Sequence, residues 1–84
     1  MPYIAKQDRT KYREILDQIK KIDTKGDLEY CIYFLMKRYM KDKEFRYSTL
    51  HDTVYAAIHC GDEYRRRNLD IRENAAMEKN GDIE

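Results

Sequence analysis

Eighty-four residues suffice for one hydrophobic core, so the chain is expected to form one domain over residues 1–84. A domain this short covers only about 60–65% of the surface its unfolded chain exposes, and self-association is the common remedy. Charged residues make up 39% of the chain and apolar ones 42%, with a net charge of +1. That balance excludes a disordered polyelectrolyte and gives no global pull toward nucleic acid or anionic membrane.

In chain order, Met1 to Lys6 contains Pro2 and alternates Tyr3, Ile4 and Ala5, the pattern of an extended arm over residues 1–6. From about Asp8 to Asp23 the residues Tyr12, Ile15, Leu16, Ile19 and Ile22 recur at spacings of three and four, which predicts a first helix with one buried face. Lys25 and Gly26 interrupt it, and Asp27 is the expected N-cap of a second helix over Leu28 to Met40. Leu28, Cys31, Ile32, Leu35, Met36 and Tyr39 share one side of that helix, and Tyr30, Tyr33 and Phe34 widen the apolar surface. Such a helix needs neighbours on more than one side.

Lys41 to Tyr47 is a charged connection, and Ser48 is the expected cap of a third helix. Leu50, Val54, Ala57, Ile58 and Gly61 form its narrow apolar stripe, and the small residues Ala56, Ala57 and Gly61 would let another helix come close. The pattern runs to Leu69 and stays helix-compatible through Lys79, where Asn80-Gly81 is a natural terminator. Residues 70–84 form an acidic tail with Glu73, Glu78, Asp82 and Glu84. The fold class predicted is all-α, a compact three-helix unit with an extended N-terminal arm and a C-terminal tail, completed by oligomerisation.

No apolar run approaches the ~20 residues of a membrane helix, and the N-terminus lacks a secretory pattern, so the expected location is cytoplasmic. Cys31 and Cys60 have none of the paired spacings of a zinc site and are expected to be reduced and structural. His59 with Asp62 or Glu63 has the residue types of a metal site or an acid/base pair. His51 and His59 stand eight residues apart, however, and no HExxH or Cys pair completes a set, so a solvated helix face is the better reading. Gly26, Gly61 and Gly81 are isolated, which removes phosphate-cradling glycine loops. No enzyme, metal or cofactor is expected.

Two features point to binding. Arg65, Arg66 and Arg67 crowd the region beside Tyr64, where guanidinium groups would hold phosphate oxygens and Tyr55 or Tyr64 would stack on a base. The same cations, placed late in helix three, would also offset the negative end of the helix dipole, and both readings stay open. Eight tyrosines are many for this length, and tyrosine serves cores, interfaces and ligand pockets alike.

Met1-Pro2-Tyr3-Ile4, Gly26-Asp27-Leu28 with Tyr30, Tyr47-Ser48 with Leu50, Glu63 with Arg66-Arg67, Glu73 and Asn80-Gly81-Asp82-Ile83 together span nearly the whole chain. In these residues the chain resembles a family of short proteins of bacteria and their phages, known as a domain of unknown function. Relatives carry Asn-Glu at the place of His51-Asp52. The phage occurrence suggests sequestration of host signalling nucleotides by a small oligomer.

The leading expectation is therefore a non-enzymatic homo-oligomer that binds a small anionic, nucleotide-like ligand at a subunit junction. Arg66, Arg67, Tyr55, Tyr64, His59 and Arg65 are its candidate binding residues, and Tyr3, Ile4, Tyr30, Tyr33 and Phe34 its candidate interface. The alternative is a protein-interaction module that docks a host or phage protein on the helix-two face. Nucleic acid is disfavoured as a partner, because the net charge is near zero and the acidic tail competes for the same cations.

Overall fold

The structure is a computed structural model and describes residues 3–83. It is all-α, with no strand among those residues. Helix α1 spans Lys6–Asp17 and α2 spans Lys25–Met40. Helix α3 spans Tyr47–Tyr64 and passes through a π-helical turn, Arg65–Leu69, into α4, Asp70–Asn80. Backbone angles at Tyr64, Arg65, Leu69 and Asp70 are all right-handed helical, so α3, the π turn and α4 form one rod. Three rods result, as the periodicity predicts. Helical rise gives the third a length of about 51 Å, which matches the 50 Å long dimension of the molecule.

Several helix ends differ from the expected ones. The first helix stops at Asp17, not near Asp23. Asp17 places a carboxylate at the negative end of the dipole and no basic residue lies in the last turn, so nothing favours continuation. The residues beyond, although Ile19 and Ile22 keep the helical period, are drawn into the connection that sets up the next start. There Thr24, not Asp27, is the N-cap: its hydroxyl accepts from the Asp27 backbone N–H at 3.0 Å, and the Asp27 carboxylate accepts from the Thr24 N–H at 3.3 Å. This reciprocal capping box satisfies two otherwise orphaned donors, so the helix begins three residues earlier than a lone Asp27 cap would allow.

Ser48 does not cap the third helix either. Arg46 is the N-cap residue, and the Thr49 hydroxyl accepts from its backbone N–H at 3.3 Å and donates to the Glu44 carbonyl oxygen at 2.6 Å. At the other end, Gly81 takes a φ of 86°, which glycine adopts without steric cost, and its N–H donates to the Met77 carbonyl at 2.8 Å. Asn80-Gly81 terminates the rod as predicted. Most of the stretch beyond residue 70 is thus helix, with 81–83 following it. Met1 and Pro2 of the predicted arm lie outside the described residues, while Tyr3 to Ala5 are non-helical as expected.

The rods are not packed around a common centre. Helix α2 lies against α3, whereas α1 lies against no other helix among the described residues. No large apolar side chain is buried there, and Thr53 is the one buried residue, its hydroxyl donating to the Thr49 carbonyl at 2.7 Å. The radius of gyration is 16.7 Å, whereas a closed globule of this length has about 12 Å. Helicity here runs ahead of tertiary burial. No helix among the described residues is long and apolar enough to cross a membrane.

Candidate functional site

The π turn stands beside a cleft between the rod and the N-terminal arm. Its wider hydrogen bonding, with the Asp70 N–H donating to the Arg65 carbonyl five residues back, inserts a residue and re-aims the side chains that follow. The Asn68 side-chain amide donates to the Tyr64 carbonyl at 3.2 Å, which gives that oxygen a further partner where the ordinary ladder is broken. Against this joint lies the N-terminal arm.

Tyr3 crosses sixty residues of sequence to donate its hydroxyl hydrogen to Glu63 Oε1 at 2.8 Å, and it accepts from an Arg67 guanidinium nitrogen at 2.9 Å. The Arg67 guanidinium also sits over the Tyr3 ring, 5.9 Å from its centroid. Arg66 donates to the same Glu63 oxygen, and Arg67 Nε lies 3.9 Å from it. Glu63 is thus the hub of a clasp, with its side chain only 13% exposed. The hydrogen bond from Arg66, then that from Tyr3, then the charges of Arg66 and Arg67 hold its carboxyl below the usual range, and Glu63 in turn raises the Arg66 guanidinium.

Beside the clasp is an open-sided cleft of about 590 Å³ lined by Tyr3, Cys60, Glu63, Tyr64, Arg67 and Asn68. That volume lies within the range of small-molecule sites, about 300–1,000 Å³. A guanidinium, two phenol rings and an amide on its wall can hydrogen-bond an anion and stack on a planar group.

Of the six candidate ligand residues, Tyr64 and Arg67 line the cleft and Arg66 stands at its edge through Glu63. Arg65 turns away to Asp62 at 3.3 Å, so the three arginines divide between two carboxylates. Tyr55 and His59 lie farther along α3 in a ladder of rings: Tyr47 to His51 at 5.6 Å, His51 to Tyr55 at 4.2 Å and stacked, Tyr55 to His59 at 5.9 Å. Among the described residues, no group of three or more His, Cys, Asp or Glu side chains is placed to hold a metal ion.

The helix-dipole account of the arginines falls with the geometry. Arg65 to Arg67 sit in the middle of a continuous rod that ends at Asn80, and the dipole acts mainly within the last turn. Local carboxylates, Asp62 and Glu63, hold them instead.

Tyr3 and Ile4, expected at an interface, are partly exposed, and Tyr3 serves the intrachain clasp. Tyr30 and Tyr33 on α2 are 72% and 65% exposed, and Phe34 is exposed with the Arg38 guanidinium over its ring at 5.4 Å. Cys31 and Cys60 are free, Cys31 half-buried and Cys60 exposed at the cleft. Sequence reasoning missed Asn68 and Cys60 as lining residues. Glu63 was visible as a possible partner of His59 and in the Glu63, Arg66-Arg67 pattern, with nothing local to join it to Tyr3.

No curated protein and no solved structure matches the chain. A family model does, over residues 1–83, and the chain belongs to the family it describes, the domain of unknown function DUF6899.

Proposed function

We propose that this chain is a non-enzymatic, cytoplasmic homo-oligomeric protein that binds a small anionic, nucleotide-like ligand at the Tyr3–Tyr64–Arg67 cleft, beside a subunit junction. In a phage-associated setting such binding would withdraw a signalling nucleotide from its host receptor. The observation that carries the reading is the convergence of Arg66, Arg67 and Tyr3 on one carboxylate at the edge of an open cleft. A phosphate entering there exchanges guanidinium contacts with Glu63 for contacts with itself, and Tyr64 offers a ring to the base. The open side of the cleft is where a second subunit would complete the enclosure.

Thermal-shift and calorimetric titration with ATP, GTP, a cyclic nucleotide and inorganic phosphate test the reading. At least one nucleotide should raise the melting temperature, and Arg67→Ala should weaken its binding about 10- to 100-fold, the loss of one or two hydrogen bonds to charge. If no probe shifts the melting curve, or if Arg66→Ala and Arg67→Ala bind as the parent does, the ligand reading is wrong.

A second reading has its own observation, the exposed tyrosines of α2. There the chain docks a host or phage protein through Tyr30, Tyr33 and Phe34. Tyr30→Ala with Tyr33→Ala should then abolish a reconstituted complex without changing nucleotide binding.

A further inference from the structure

Helix α1 is the element its own chain does least to explain. It has twelve residues, no side-chain hydrogen bond at its N-cap and no basic residue in its last turn. It also lies against no other helix among the described residues. Isolated helices shorter than about 12–15 residues are marginal in water even for favourable sequences, so α1 needs cover to persist. Its stripe of Tyr12, Ile15 and Leu16, continued by Ile19 and Ile22, is exposed throughout.

We propose that this stripe lies on the α2–α3 layer of a second copy of the chain, each copy giving an α1 arm, residues 6–23, to the other. The inference rests on the self-associating reading above and specifies which element makes the junction. Area is the first argument. The chain has 8273 Å² of accessible surface, whereas a monomeric protein of its mass has roughly 5300 Å², an excess of about 3000 Å². An excess of that size per chain exceeds the ~800 Å² per partner of a standard contact and belongs with intertwined, obligate interfaces.

Reciprocity is the second argument, and it selects the occupant. The uncovered donor stripe is on α1, and uncovered acceptor surface, including Leu28 and Leu35 on α2 and Val54 and Ile58 on α3, is in the same chain. A two-fold exchange covers both at once, because an isologous contact repeats itself across the axis. A foreign partner seated on one would leave the other in water.

Room on the acceptor is the third. On α3, a Cβ added at Gly61 would meet nothing within 4 Å, so that part of the surface is open to an approaching helix.

Light scattering of the full chain, with hydrogen exchange resolved along it, tests the exchange of arms. The wild type should have a multiple of the monomer mass, with α1 amides protected at least about tenfold more than after dilution to the monomer. Leu16→Asp with Ile19→Asp should lower the mass to one chain and remove that protection. A wild type that stays monomeric at all concentrations overturns this proposal and the oligomeric reading together. An oligomer that persists in the double variant, or whose α1 amides exchange as in the monomer, overturns the arm exchange alone. If the double variant unfolds, the wild-type exchange pattern decides by itself.

Discussion

Helix α1 and the rod built from α3, the π turn and α4 answer differently to the question of what holds a helix in place. The rod has an ordered start at Thr49, a glycine stop, α2 along its side and ion pairs at its midpoint. Helix α1 follows an arm pinned at Tyr3 and, among the described residues, lies against no other helix. Local rules are therefore enough to account for where the rod begins and ends, whereas α1 is fixed within its own chain only at its root. If the proposed arm exchange holds, the first region answers to local chemistry and the second to concentration.

The largest expected effect breaks that contrast directly. Leu16→Ala removes side-chain volume from the α1 stripe, which costs about 2–4 kcal/mol per subunit where the stripe is packed and nothing where it faces water. Melting followed over a hundredfold range of protein concentration should show the loss at the high end and little change at the low end. An equal loss at every concentration would place the contact inside one chain. A smaller effect serves as the control: Thr24→Ala removes one half of the α2 capping box and should cost about 1 kcal/mol at all concentrations, because the box is local. If its cost also vanished on dilution, α2 would depend on assembly as α1 does.

The three rods were legible because apolar residues at spacings of three and four mark a helical face whether or not that face is covered. Their ends were less so. Thr24 and Asp27 are both good caps, and which one starts α2 depends on a reciprocal pair of bonds, not on either residue's preference. Ile19 and Ile22 extend the period of helix one into a segment that the capping box draws into the connection. The site was legible in part: the arginines and Tyr64 stood out by type, but an i→i+5 turn has no compositional mark, and a contact from residue 3 to residue 63 has no periodicity to reveal it. The dipole account of Arg65 to Arg67 depended on placing the end of the rod near Leu69, a point where the periodicity weakens but the backbone continues.

The smallest expected effect concerns the root of the arm. Glu63 is held below the usual carboxylate range chiefly by the Arg66 hydrogen bond, then by that from Tyr3. A depressed carboxyl adds stability that is fully present above its unfolded value, about 4.3, and that is lost as pH falls through the lower folded value. The clasp should therefore hold through neutral and mildly acidic solution and open only in stronger acid. The Glu63 carboxyl carbon followed by NMR gives the midpoint, and Tyr3→Phe should move it upward while α2 amide shifts stay in place. An unchanged midpoint would mean that Tyr3 does not bind Glu63 in solution. The Arg66 side chain that completes this clasp is mostly exposed, and salt screens exposed charges efficiently. High ionic strength should thus loosen the root of the arm and, under the proposed exchange, strengthen apolar cover on the α1 stripe, so salt alone would separate the two attachments.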